Sequence, residues 1–140
     1  MKQIIKYKKK ILAIIVKNAI SNKKKGIQFF SPNNFNQQLG LFNHETGKVI
    51  KPHTHNKFIR KINKTTEVLF ILSGKLRIDF YKDSKNYLYS KILKKNDLVI
   101  LNEGSHGFKV LEKIRMFEVK QGPYVGEKDK ERFDIPKIEK

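Results

Sequence analysis

Residues 67–81 decide the fold class, and they read Glu-Val-Leu-Phe-Ile-Leu-Ser-Gly-Lys-Leu-Arg-Ile-Asp-Phe-Tyr. The apolar run Glu67–Leu72 predicts a strand and Ser73-Gly74 predicts a turn. The segment Lys75–Tyr81 then alternates between polar and apolar residues, and side chains alternate across a strand with a period of two. We therefore expect an antiparallel hairpin with one face in contact with solvent.

Short apolar or alternating runs between turn residues continue through the rest of the chain. Ser31-Pro32 supplies an N-cap and a first-position proline, which predicts one helical turn through Asn36. No segment has the period of a long amphipathic helix, so the chain is predicted to be an all-β sandwich or barrel. The further predicted strands are Ile11–Val16, Ile27–Phe30, Gln37–Asn43, Tyr87–Leu93, Leu98–Leu101, Phe108–Leu111 and Ile114–Gln121.

The length of 140 residues fits a single domain. Residues 1–10 are rich in lysine, and we expect a frayed basic lead-in there. Residues 11–125 hold the predicted strands and form the folded domain. Residues 126–140 are mostly charged, which predicts a peripheral tail or a short helix.

The formal net charge of +18 raises the question of nucleic-acid binding. Nearly all of the 31 basic residues are lysines, whereas proteins that read bases rely heavily on arginine. The lysines are also spread along the whole chain, as on a solvated surface. We expect no specific nucleic-acid partner, only a weak and salt-sensitive affinity for polyanions.

No membrane segment is predicted. The apolar run Ile11–Val16 is six residues long, well below the ~20 that a membrane helix needs, and it lacks the cleavage site of a signal peptide. The chain contains no cysteine, which excludes disulfides and thiolate chemistry and fits a reducing compartment. We therefore expect a cytoplasmic protein without a membrane partner.

Histidines supply the candidate chemistry. His53 and His55 are two residues apart, so both imidazoles point to one face if the segment is extended. Glu67 and His106 are candidates for a third and a fourth ligand. A set of three histidines and one glutamate suits one divalent transition metal, Fe, Mn, Ni or Zn. The alternative interpretation of the histidine pair is two exposed strand residues, and His44 lies in a predicted turn at the surface.

Two segments carry a family resemblance. Gly47, His53-Thr54-His55, Glu67 and Gly74 resemble the first cupin motif, although the interval before Glu67 is longer than in that motif. Residues 96–106, from Asn-Asp through an apolar strand to Gly-Ser-His, resemble the second. The resemblance spans roughly residues 37–121 and implies a double-stranded β-helix, a jelly-roll barrel with a metal at its mouth.

Within this family the chain is similar to small single-domain bacterial cupins near the sugar-ketoisomerase-like group. That resemblance implies a protein that binds or acts on a small polar molecule, in sugar or cell-surface polysaccharide metabolism. Two alternatives stay open. One is a metal-free sugar-nucleotide ketoisomerase-like enzyme with His53 and His55 as acid and base, and the other is a ligand-binding cupin without catalysis.

Further candidate residues lie on the last strand and on the loop after the histidine pair. Glu118, Lys120 and Gln121 follow an apolar stretch, and we expect them to reach the barrel interior, with Glu118 as a proton carrier. Arg60 is a candidate for anion recognition, and Tyr124 for covering the site. Their alternatives are surface placement for Arg60 and packing of the tail for Tyr124.

A jelly roll has edge strands that need cover. The apolar strand Ile11–Val16 is able to supply it by pairing within one chain or between two chains. We therefore expect a homodimer.

Overall fold

The structure is a computed structural model that describes residues 1–83 and 85–135, and it confirms the all-β class for this part of the chain. Its regular structure consists of strands and two short 3-10 helices, Ala19–Ser21 and Gly126–Asp129. None of the helices in these residues has the length and apolar character that crossing a membrane requires. The strands are β1 (Lys2–Tyr7), β2 (Lys10–Val16), β3 (Gly26–Phe29), β4 (Gly40–Asn43), β5 (Glu67–Tyr81), β6 (Tyr87–Lys94), β7 (Leu98–Leu101) and β8 (Ser105–Lys120).

Strand β5 is the centre of the main sheet, whose strand order is β1-β2-β7-β5-β6 with β8 on the other side of β5. The first part of β5, Glu67–Phe70, pairs with β7, and the last part, Lys75–Tyr81, pairs with β6. Strand β8 pairs with β5 along nearly all of its length. All of these pairs are antiparallel, and β3 and β4 form a separate two-stranded sheet.

The hairpin predicted at Ser73-Gly74 is wrong, because β5 continues through these residues as one strand. Gly74 has a φ of 86°, and a Cβ at this position would lie 2.1 Å from the carbonyl oxygen of Lys113. The register between β5 and β8 shifts on both sides of this glycine, which marks a bulge and not a turn. The strands predicted at Phe108–Leu111 and Ile114–Gln121, with a hairpin turn at Glu112-Lys113, are likewise one continuous strand, because β8 also runs through the bulge.

The bulge shifts the alternation of β5 by one residue. Odd-numbered positions face the core before the bulge, and even-numbered positions face it after the bulge. Leu69 and Ile71 are buried before the bulge, whereas Leu76, Ile78 and Phe80 are buried after it. All five belong to one buried cluster, together with side chains of β1, β2, β6 and β7. Because both halves of one strand enclose the same core, the sheet is curled around it. The described strands nevertheless do not form a closed barrel.

Strand β2 is buried on both faces, which explains its continuous apolar sequence. Ala13 and Ile15 belong to the main core, and Ile14 and Val16 belong to a second cluster on the other face. Phe30 and Leu39, at the two ends of the loop that joins β3 to β4, belong to the second cluster together with Ala19 and Ile100. This hairpin therefore covers the outer face of the sheet at β2 and β7.

Two further predictions need correction, and a third, the covering of an edge strand, is resolved between its alternatives. Residues 1–10 are not frayed as a lead-in, because Lys2–Tyr7 forms β1 and pairs with β2. Strand β2 pairs with β7, so the cover that was predicted for an edge strand is supplied within one chain, and β1 in turn pairs with the other edge of β2. The helical turn predicted after Ser31-Pro32 is a simple turn, in which the amide of Phe35 donates to the carbonyl of Pro32 at 3.1 Å.

Candidate functional site

The curl of the sheet brings Glu67 and His106 together. Glu67 is the first residue of β5 and is buried, and His106 is the second residue of β8. The distance between Glu67 Oε2 and His106 Nε2 is 3.2 Å, within reach of a hydrogen bond. In register, His106 lies opposite Phe80, at the far end of β5 from Glu67. The contact therefore spans the two ends of the curled strand.

A cavity of about 530 Å³ lies beside this pair. Its walls combine the start of β5, the start of β8 and the C-terminal segment after β8. The lining residues are Thr65, Glu67, Tyr81, Gly104, Ser105, His106, Gly107, Phe108, Asp129, Lys130, Glu131, Arg132, Phe133 and Ile135. The site is thus a pocket with a carboxylate and an imidazole side by side in its wall.

The hydrogen bond from His106 lowers the pKa of Glu67 below its ordinary value. Burial acts in the opposite direction, and the positive charges of His106, Lys130 and Lys120 assist the lowering. The carboxylate is therefore ionised at neutral pH. An ionised glutamate that accepts from an imidazole fixes the orientation of the ring and its tautomer.

The start of β5 is held by a small polar network. Thr66 is buried, and its hydroxyl donates to Gln121 Oε1 at 2.8 Å and lies 3.0 Å from Gln37 Oε1. Gln121 thus positions the residue next to Glu67, and it is not among the cavity residues.

The histidine pair lies on the exposed loop of residues 44–66, outside any strand. The ring centroids of His53 and His55 are 5.3 Å apart with an interplanar angle of 78°, and His53 Nδ1 lies 3.0 Å from the carbonyl oxygen of Lys51. In residues 1–83 and 85–135 no group of three or more His, Asp or Glu side chains is placed to hold a metal ion. The structure therefore brings the four predicted ligands together as two pairs and not as one set.

The remaining candidates lie at the surface. Glu118 is exposed, so the expectation that it reaches the interior is wrong. It lies on the outermost strand, where a long charged side chain reaches solvent and avoids the cost of burial. Lys120 is half-buried, 5.4 Å from the Tyr124 ring centroid, and Tyr124 itself is exposed. Arg60 is exposed against the Phe58 ring.

Several residues of the cavity wall were not among the candidates predicted from the sequence. The C-terminal segment, expected to be peripheral, contributes Asp129 to Phe133 and Ile135 to the lining. Thr65 Oγ1 donates to Asp129 Oδ1 at 3.1 Å, and the Phe133 ring packs edge-to-face on Tyr81 with centroids 5.2 Å apart. The rest of the predicted tail, residues 136–140, lies outside the described residues. Phe133 and Ile135, apolar residues in a charged segment, are the only hint of this docking.

In comparisons with known proteins, no family model, no curated protein and no solved structure matched the chain.

Proposed function

We propose that this chain binds or acts on a small polar molecule in the cavity beside Glu67 and His106. The observation that carries the proposal is the contact between these two side chains, one at the start of β5 and the other on β8 opposite the end of β5. A volume of about 530 Å³ lies within the range of small-molecule pockets, roughly 300–1,000 Å³. A pocket that combines apolar walls with a few placed polar groups is typical of such sites.

We further propose that the fold is the double-stranded β-helix of the cupins and that the protein is a single-domain member of that family. Support comes from the antiparallel sheet curled around one core and from the contact between Glu67 and His106 that this curl allows. Sugar or cell-surface polysaccharide metabolism is the setting that the family resemblance suggests. The absence of cysteine fits a cytoplasmic location.

A divalent transition metal, Fe, Mn, Ni or Zn, belongs to this proposal. Glu67 and His106 offer an ionised carboxylate and an imidazole in contact, which suit such an ion. His53 and His55 would complete the set only if the loop of residues 44–66 moved towards the cavity. When bound, the metal would act as a Lewis acid that polarises an oxygen of the ligand.

A second candidate function needs no metal. The hydrogen bond between Glu67 and His106 is the arrangement in which a carboxylate orients an imidazole for proton transfer. His106 would then serve as general acid or base in a metal-free ketoisomerase-like reaction, in the role that the sequence suggested for His53 and His55. A ligand-binding protein without catalysis would use the same pocket.

Metal binding separates these candidates. The purified protein, stripped with a chelator, would be titrated calorimetrically with Mn²⁺, Ni²⁺ and Zn²⁺, and anaerobically with Fe²⁺. We expect one equivalent to bind and His106→Ala to weaken binding at least tenfold. His53→Ala tests the contribution of the loop, and His44→Ala is the matched control because His44 is an exposed histidine outside the predicted set.

If none of the four ions binds stoichiometrically, or if His44→Ala weakens binding as much as His106→Ala, the metal proposal fails. The metal-free candidate then makes its own prediction. A screen of sugar nucleotides should find a ligand whose binding is lost in His106→Ala, and failure of that screen together with the metal titration would overturn the proposed site.

A further inference from the structure

We propose that the ligand of this cavity is an anion, recognised by the hydroxyl of Tyr81 and the ammonium group of Lys130. The inference rests on the proposed function and adds the chemical class of the ligand. Tyr81 is the last residue of β5, and Lys130 lies in the C-terminal segment. Both line the same cavity as Glu67 and His106.

The Tyr81 hydroxyl is a buried donor in need of an acceptor. Tyr81 is only 2% exposed, and its Oη has no hydrogen-bond partner among the described residues. The oxygen end of the ring lies beside Gly107, since a Cβ at Gly107 would be 3.7 Å from Oη. Gly107 is also part of the cavity wall. Buried hydroxyls are nearly always paired, so an unpaired one in a cavity wall indicates a missing acceptor.

Burial raises the pKa of the Tyr81 phenol, and the charge of Asp79 contributes in the same direction. The hydroxyl therefore keeps its proton at neutral pH and remains a donor. A donor of this kind selects for an acceptor on the ligand, and an anionic oxygen is the strongest acceptor it can meet.

The charged groups of the wall point to the same class of ligand. Each acidic side chain that lines the cavity has a partner: Glu67 contacts His106, Asp129 contacts Thr65, and Glu131 contacts Lys85. Arg132 is paired with Glu127. Lys130 forms no direct ion pair within the described part of the chain, and its charge acts on Glu67 and Glu127 only from a distance. The Tyr81 hydroxyl and the Lys130 ammonium group thus provide a neutral donor and a cation in the wall, neither of which is paired directly with a described side chain.

The Phe133 ring must move before a ligand can reach the Tyr81 hydroxyl. It packs edge-to-face on the Tyr81 ring, and the hydroxyl has almost no solvent access. The segment that carries Phe133 is otherwise fastened by exposed or half-exposed polar contacts, such as Lys85 with Glu131. Contacts of this type contribute little stability, so displacing the segment is a small cost.

The test uses calorimetric titration of the full chain at ~0.15 M salt with two anions, inorganic phosphate and malonate, and with the neutral sugar glucose. The two anions distinguish a phosphate site from a carboxylate site. Tyr81→Phe removes only the hydroxyl, and Lys130→Met removes only the charge. Tyr7→Phe and Lys24→Met are matched controls at positions outside the cavity, and Lys24→Met accounts for general attraction of anions to a basic protein.

We expect one of the anions to bind, each cavity variant to weaken it at least tenfold, and both controls to leave it unchanged. Phe133→Ala should bind the anion at least as tightly as the natural chain. The inference is overturned if neither anion binds, if the control variants weaken binding as much as the cavity variants, or if glucose binds more tightly than the anions. Binding of glucose that depends on His106 but not on Tyr81 would refute this inference and leave the proposed function standing.

Discussion

Glu67 Oε2 and His106 Nε2 are 3.2 Å apart, although 39 residues separate them in sequence. Glu67 begins β5, whereas His106 lies opposite Phe80, next to the end of that strand. A flat strand of 15 residues would hold its ends roughly 50 Å apart, at ~3.3 Å per residue. The contact therefore shows that the sheet curls strongly between these two positions. The same curl brings together the two side chains of the candidate site.

The first prediction concerns the pH dependence of stability in metal-free protein. The pKa of Glu67 is lowered on folding, so the stabilisation is complete above its ordinary value of 4.5 and is lost as the pH falls below that value. Glu67→Gln should lower the free energy of unfolding at pH 7 by about 1.5–3 kcal/mol, as expected for a hydrogen bond to a charged group. Urea unfolding between pH 3 and pH 7 should show the two proteins converging at the acid end.

Glu45→Gln is the control for this experiment, because Glu45 is exposed and its ion pair with Lys25 is at the surface. Its stability should differ little from that of the natural chain at any pH. A constant difference between the natural chain and Glu67→Gln down to pH 3 would show that the carboxylate charge is not what stabilises the contact.

The second prediction concerns the bulge. Gly74→Ala places a Cβ against the carbonyl of Lys113 and forces a non-glycine residue to a φ of 86°. The left-handed conformation alone costs ~1–2 kcal/mol, and the backbone clash adds to it. We expect a loss of at least ~2 kcal/mol in urea unfolding. Gly47→Ala is the matched control, with a φ of 83° but open space around it, and it should lose only the conformational part.

If Gly74→Ala and Gly47→Ala lost the same free energy of unfolding, the clash with the Lys113 carbonyl would contribute nothing to the loss. The bulge would then tolerate a side chain at this position.

The third prediction concerns self-association. In the described residues β8 pairs only with β5, so its outer edge is open, and Phe117 and Val119 on this strand are 64% and 56% exposed. An open apolar edge is a site for pairing with a second copy. We expect a homodimer by analytical ultracentrifugation, and Phe117→Asp should shift it to monomer.

Phe58→Asp serves as the control because Phe58 is exposed on the loop of residues 44–66. It should leave the dimer intact. A monomeric mass for the natural chain at ~100 μM would refute the homodimer, since interfaces of standard size bind more tightly than that.

The fourth prediction concerns polyanions. A net charge of +18 should give measurable affinity for single-stranded DNA at low salt, without preference between sequences. Because such binding depends on release of counterions, the affinity should fall steeply between ~0.05 and ~0.3 M salt. Fluorescence anisotropy with two labelled oligonucleotides of different sequence would measure both properties. Affinity that persists at ~0.3 M salt, or that differs between the sequences, would contradict the expectation of no specific nucleic-acid partner.

The parts of the fold that sequence patterns predicted are those with local causes. Ile11–Val16 and Leu98–Leu101 are continuous apolar runs because both faces of β2 and β7 are buried, and such runs are recognisable from the sequence alone. Ser73-Gly74 misled because a glycine with positive φ serves a turn and a bulge equally well. Only the long-range pairing of β5 with β8 distinguishes the two, and no local pattern contains it.

The candidate site was predictable to a similar extent. Glu67 and His106 stood out because carboxylates and imidazoles carry recognisable chemistry. Tyr81 did not, since it belongs to the polar face of an alternating segment and is buried by long-range packing that includes the Tyr87 and Phe133 rings. Contacts of this kind depend on where a distant segment returns to the body of the protein.

The bulge at Gly74 also sets a limit on how this chain can change in length. The two halves of β5 are out of phase by one residue, so deleting Gly74 would restore strict alternation along the strand. Leu69, Ile71, Leu76, Ile78 and Phe80 would then all fall on one face of a regular strand, so this deletion would keep the core side chains on the core face. Loss of a single residue within either half would instead turn the side chains beyond it to the opposite face. Changes of one residue in length should therefore be tolerated at the bulge and in residues 44–66, but not within the two halves of β5.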